Sequence, residues 1–167
     1  MPFQSLLNTM GAINDVHITL IELAAEKKQA IIDKRLDTLS RITKQESALL
    51  KRIGELEGQR NETIAKVLLS KGYRASLKVA ISDLAKIIFN PEDKEMLLES
   101  GRRLMSSIHT LREANELNQQ LIQHSLDYIN FSVDLLKGPF EENEVIYHNP
   151  HQKSLGAARS GLFDTRG

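Results

Sequence analysis

Catalysis and metal binding need particular side chains at particular spacings, and this chain of 167 residues offers few. His148 and His151 stand as His-x-x-His, the spacing at which two imidazoles can share a metal. They fall in a stretch that reads as a flexible tail, with no companion placed to complete a site, so no metal is expected there. His17 lies on the apolar stripe of the first helix, where a histidine satisfied at a helix interface is the expected role. No Glu-x-x-His occurs on the long helices, which removes the paired motif of di-iron bundles. Neither a glycine-rich phosphate loop nor a Gly-x-Ser-x-Gly elbow is present. The residues point away from an enzyme and from any cofactor, and toward a protein that works through its surfaces.

Composition narrows the kind of surface. Lysine plus arginine and aspartate plus glutamate both count 22, so net charge is zero and no overall field gathers nucleic acid or anionic lipid. The length suits one domain with a real core. The opening "MPFQSLLNTMG" has no basic run, and no stretch approaches the roughly 18 apolar residues that a membrane span needs. Cysteine is absent, which excludes disulfides and thiolate metal sites and fits a reducing compartment. A cytoplasmic protein without membrane insertion is expected.

The elements that must carry such a surface are helices. From Pro2 to about Ser70 apolar residues recur at mixed three and four spacing, through Met10, Ile13, His17, Leu20 and Ala24, then Leu39, Ile42, Leu49, Ile53, Leu56 and Ile64. This spacing predicts one long amphipathic helix, with Glu26, Lys27, Lys28, Lys34, Arg35, Lys44, Lys51 and Arg52 mostly on its solvated side. Gly54 and Gly58 weaken it locally. Gly72 is placed to end it, and a connector follows in which Ser82 can cap a short helix. "NPEDKEMLLES" then marks a helix start, with Asn90 at the N-cap, Pro91 in the first position and Glu92 and Asp93 in the first turn. That last helix runs to Gly138 and Pro139. The expected fold is all-α: an elongated antiparallel hairpin or bundle of two long helices plus a short connector helix. Residues 1–137 form the helical domain, and 138–167 a flexible tail too poor in apolar side chains to fold, with Tyr147 and Phe163 as isolated anchors.

The last helix carries two apolar seams. One runs its full length through Leu97, Gly101, Leu104, Ile108, Leu111, Asn115, Asn118, Ile122, Ser125, Ile129, Ser132 and Leu136, reinforced by Leu126 and Val133, and is expected to face helix one, with Asn115 and Asn118 setting register. The other appears only late, as Leu117, Leu121, His124, Tyr128, Phe131 and Leu135. In an antiparallel hairpin this end would lie beside the start of helix one. Its extra face then calls for a cover: the connector helix, a second copy forming a homodimer of the free chain, or a partner helix read through anchors at i, i+4 and i+7.

The stretch "HITLIELAAEKKQAIIDKRLDTLSRITKQESALLKRIGELEGQR" resembles the first helix of the FlgN family of flagellar export chaperones, and "ELNQQLIQHSLDYINFSVDLL" is similar to the family's last helix. The likeness covers most of residues 3–137, and the connector and tail match poorly. It implies a chaperone for the hook-filament junction proteins FlgK and FlgL, which binds their carboxy-terminal helical segment and hands it to the cytoplasmic domain of the export gate protein FlhA. The late seam would then bury the substrate helix. Tyr147, an aromatic beyond the last helix, matches the position implied for gate docking, although its surroundings lack the family's glycine-rich context. A structural or regulatory coiled-coil adaptor without an export role is the alternative.

Overall fold

A computed structural model of the chain describes residues 1–76 and 78–138. They form four helices, α1 (Pro2–Ile32), α2 (Leu36–Ser70), α3 (Ile81–Lys86) and α4 (Pro91–Lys137), with no strand among the described residues. The all-α class and the long helices joined through a short connector helix agree with the expectation. The number of long helices does not: the stretch read as one helix from Pro2 to Ser70 is two, folded back on each other at residues 33–35. The chain divides into two units, Met1–Tyr128 and one that begins at Ile129.

The break has a backbone cause that apolar spacing cannot display. At the end of α1 the Arg35 amide donates to the Ala30 carbonyl at 2.9 Å and the Lys34 amide to Ile31 at 3.2 Å, a Schellman closure that requires residue 34 to be left-handed. Lys34 takes that conformation, at φ 56°, without being glycine. The end of α2 closes identically, with Tyr73 donating to Leu68 and Gly72 to Leu69, both at 3.0 Å. There the left-handed residue is Gly72, as expected. A side chain in this conformation costs about 1–2 kcal/mol. Part of that is offset where the Lys34 ammonium stands 5.4 Å from the centre of the Tyr128 ring, a contact worth about 0.5–1 kcal/mol. Lys34→Gly should therefore stabilise the protein by about 0.5 kcal/mol, raising the melting temperature by about 1–2 °C. A lower melting temperature would mean that the ring contact outweighs the backbone cost.

The extra turn also reverses an orientation. Asn14 of α1 accepts from Ser107 Oγ of α4 at 2.7 Å, and the Ala24 carbonyl accepts from Asn118 Nδ2 at 2.8 Å, so α4 advances in the same direction as α1. Helix α2 runs against both, since Leu6 and Met10 of α1 cluster with Ile64 and Val67 of α2, Ile13 with Leu56, and Leu23 with Ile42. The last helix was expected to end beside the start of helix one. Instead it starts there, because the chain turns at residues 33–35 and turns again through α3.

Packing falls off along α4. The main cluster joins Leu6 and Met10 of α1, Ile64, Val67 and Leu68 of α2, Leu84 and Ala85 of α3, Ile88 of the connection that follows, and Leu97 of α4. Burying each large apolar side chain contributes about 1.5–3 kcal/mol, so this end carries most of the hydrophobic stabilisation. Helix α3 passes close to Gly101, where a Cβ would stand 3.4 Å from Ile81 Cγ2, in van der Waals contact. A smaller cluster holds Ile13, Leu56 and Leu104. The third, Leu23, Ala30 and Ile42, is made by α1 and α2 alone. Beyond Leu104, the sole fully buried residue of α4 is Asn118.

Local signals at the other boundaries acted as their chemistry dictates. Asn90 Oδ1 accepts from the amides of Glu92 at 2.9 Å and Asp93 at 3.4 Å, capping α4. Gly138, at φ 64°, follows its last residue. Ser82 lies inside α3 rather than at its cap, which is Ala80 with no side-chain bond. Helix α2 passes through Gly54 and Gly58 without interruption.

Candidate partner-binding face

Nineteen large apolar side chains are exposed among the described residues, and nine of them fall in residues 117–136 of α4. Within the first unit these are Leu117, Ile122, Leu126 and Tyr128, of which Tyr128 is 63% exposed. In the second unit, Ile129, Phe131, Val133, Leu135 and Leu136 are exposed, Phe131 at 61% and Leu136 at 87%. Exposed apolar side chains gathered in this way are the kind of surface that partner-binding sites present.

Leu117, His124, Tyr128, Phe131 and Leu135 are exposed, while Leu121 is half-buried. The full-length seam is corrected: Ile122, Ile129 and Leu136, expected to face helix one, are exposed. The covered line passes instead through Leu111, Ala114, Asn118, Leu121 and Ser125. Steps of three and four place residues 121 and 122 about equally far on either side of the inward direction, so counting alone cannot choose between them. The neighbour chooses. Asn118 is drawn against Ala24 of α1, which turns Leu121 inward, while Asn115 and Ile122 face a gap toward α2.

That gap is a cleft of about 330 Å³ lined by Leu20 and Lys27 of α1, Glu46 and Leu50 of α2, and Leu111, Asn115, Asn118, Gln119 and Ile122 of α4. Its walls are chiefly apolar. The Lys27 and Glu46 side chains that meet in it are only 22% and 18% exposed, so this pair is partly desolvated and less screened than a surface pair. Asn118 was expected to set register, and its bond to Ala24 does so. The Lys27–Glu46 pair and the cleft escaped the sequence, because both depend on the fold-back at residues 33–35.

Nothing in this arrangement resembles a catalytic centre. His17 is buried and its Nδ1 lies 2.8 Å from the Ile13 carbonyl of its own helix, the interfacial role expected of it. Glu99 is held below its ordinary carboxylate value by a hydrogen bond from Arg103 at 3.1 Å, with Arg102 adding to the effect, and is an exposed ion-paired acid. Among the described residues no cluster of three or more His, Asp or Glu could hold a metal, and no helix is long and apolar enough to cross a membrane. His148, His151 and Tyr147 lie outside the described residues.

Among the described residues, this helical bundle leaves the apolar side chains of its last helix uncovered, a surface of the kind through which a protein holds another chain. The family model described as FlgN protein matches residues 1–154, and the chain belongs to that family of flagellar export chaperones. A relative from Bacillus subtilis (strain 168), described as "Uncharacterized protein YvyG", is 25% identical over 167 residues, covering 99% of each chain. No solved structure matches.

Proposed function

We propose that this chain is the cytoplasmic chaperone of the hook-filament junction proteins FlgK and FlgL, binding their carboxy-terminal helical segment, keeping it from assembling early and passing it to the cytoplasmic domain of the export gate protein FlhA. The supporting observation is the concentration of uncovered apolar side chains in residues 117–136. Leu117, Leu121, His124, Tyr128, Phe131 and Leu135 are the proposed contacts. An axial protein's terminal helix is amphipathic and pairs with its own kind in the assembled structure, so it needs an apolar cover while it waits. Four to six anchors at about 1.5–3 kcal/mol each, less the cost of association and ordering, leave micromolar to nanomolar binding with no nucleotide required. A coiled-coil adaptor would carry its apolar surface along the whole rod; here the surplus is late.

The test is copurification of the full chain with each junction protein, intact and lacking its carboxy-terminal segment. Retention of the intact proteins and loss of the shortened ones is expected. Equal recovery of both would remove the proposed role.

Delivery is assigned to the tail. Val145, Ile146 and Tyr147 form a short apolar cluster suited to a partner's pocket, with the tyrosine as anchor. Tyr147→Ala should weaken binding of the FlhA cytoplasmic domain to the substrate-loaded chaperone by some thirtyfold, about 2 kcal/mol, while junction-protein affinity stays unchanged. A chain ending at Lys137 should behave the same way. Titration of both variants with both partners checks this, and unchanged gate affinity would move the docking site elsewhere.

A further inference from the structure

Four polar residues of the described chain are buried, and three satisfy themselves locally. Thr9 donates to the Ser5 carbonyl at 2.9 Å, Thr63 to Gln59 at 2.7 Å, and His17 meets Ile13 at 2.8 Å, each within its own helix. Asn118 differs. It is the most buried of the four, at 3% exposed, and its Nδ2 donates to Ala24 of another helix while its Oδ1 accepts nothing among the described residues. Reversing the amide would set two oxygens against each other, so the bond to Ala24 fixes which end is left idle. An acceptor sealed off without a donor lowers stability, and a leucine of similar size would remove that cost. Register alone is met by the nitrogen. The oxygen is used by no group of the described chain.

The surroundings indicate what it waits for. Asn118 stands on the wall of the cleft formed by Leu20, Leu50, Leu111 and Ile122, beside the Lys27–Glu46 pair. Gln119 and Ile122, its neighbours on that wall, are exposed side chains with room to swing aside. The cleft already balances its own charges, so a cationic donor would be desolvated there without a counter-ion. A neutral donor would not.

We propose that this cleft selects among partner helices: it takes one apolar side chain of the bound helix between Leu20, Leu50, Leu111 and Ile122, and Asn118 Oδ1 accepts a hydrogen bond from a neutral donor, an amide or hydroxyl, about one turn away on that helix. This deepens the reading given above and rests on it. Discrimination of this kind is efficient because a helix lacking the donor leaves the buried acceptor empty in the complex as well. The apolar anchors of late α4 supply affinity, and Asn118 supplies choice.

The probe is the carboxy-terminal helical segment of a junction protein as a peptide, together with versions in which each Asn, Gln, Ser and Thr is changed singly to alanine. Each is titrated into the full chain and into Asn118→Leu, with Asn118→Ala as a second variant and circular dichroism to show that the variants fold. One replacement should weaken binding to the native chain about tenfold, about 1.4 kcal/mol, and bind both variants within twofold of the unaltered peptide. Asn118→Leu should also melt higher than the native chain. If every replacement acts equally on native and variant chains, Asn118 sets register alone and the inference is overturned. Failure of the unaltered peptide to bind the native chain would count instead against the chaperone reading on which it rests.

Discussion

Phe131→Asp should leave the protein as helical and nearly as stable as the parent, with a melting temperature within about 2 °C, and weaken binding of the junction-protein helix by about a hundredfold or more. The two halves of that expectation have separate causes. Phe131 is 61% exposed in the free chain, and substitutions at such positions change stability by about 0.5 kcal/mol or less. In a complex the ring would be covered, and its replacement loses the burial of an aromatic anchor and also forces a carboxylate out of water, together at least about 3 kcal/mol. Tyr128→Asp should act similarly, its carboxylate standing where the Lys34 ammonium now faces the ring. Leu104→Asp is the contrast: at 5% exposed in the second core cluster, it should unfold the bundle. Circular dichroism melts and calorimetric titration on the same preparations separate the outcomes. A Phe131→Asp variant that melts far below the parent, or one that still binds, would show that late α4 is ordinary core.

The same comparison shows what the amino-acid pattern carried and what it did not. Signals made by one or two adjacent residues survived intact: Asn90 caps α4, Pro91 begins it, Gly72 ends α2 and Gly138 follows α4. The stripe of Met10, Ile13, His17, Leu20 and Ala24 is buried throughout, because a helix that covers one face needs apolar groups at that period wherever the face lies. The fold-back at residues 33–35 was hidden because Lys34 occupies a left-handed position usually held by glycine, and no proline interrupts the run. That one turn reverses the direction of α4 relative to α1, so that α4 starts, rather than ends, beside the start of α1. The surplus of apolar residues late in α4 was visible, since an excess of such groups does not depend on orientation. Which of Leu121 and Ile122 turns inward was not, since a neighbouring helix decides it.

Leu84→Ala should cost about 3–4 kcal/mol, the largest loss of stability from any conservative truncation in the connector, and Leu84→Asp should prevent folding. Helix α3 has six residues, too few to be helical in water unaided, so its conformation is held by what it packs against. Leu84 is fully buried among Leu6 and Met10 of α1, Ile64 and Val67 of α2 and Leu97 of α4, and is thus where all four elements meet. Its truncation removes the transfer free energy of the side chain and leaves a cavity whose walls are three long helices with little freedom to close. Ser82→Ala, two residues away but exposed and without a capping bond, should change stability by no more than about 0.5 kcal/mol. Urea titration of the three chains gives the comparison: Leu84→Ala should shift the midpoint downward with an unchanged slope, since as much surface still becomes exposed on unfolding. Where the variant remains folded, its affinity for the junction-protein helix should match the parent, because late α4 carries the proposed contacts and the connector packs at the opposite end of that helix. A cost under about 1 kcal/mol would instead make α3 a loosely held flap, and the main core would then rest on α1, α2 and α4 alone.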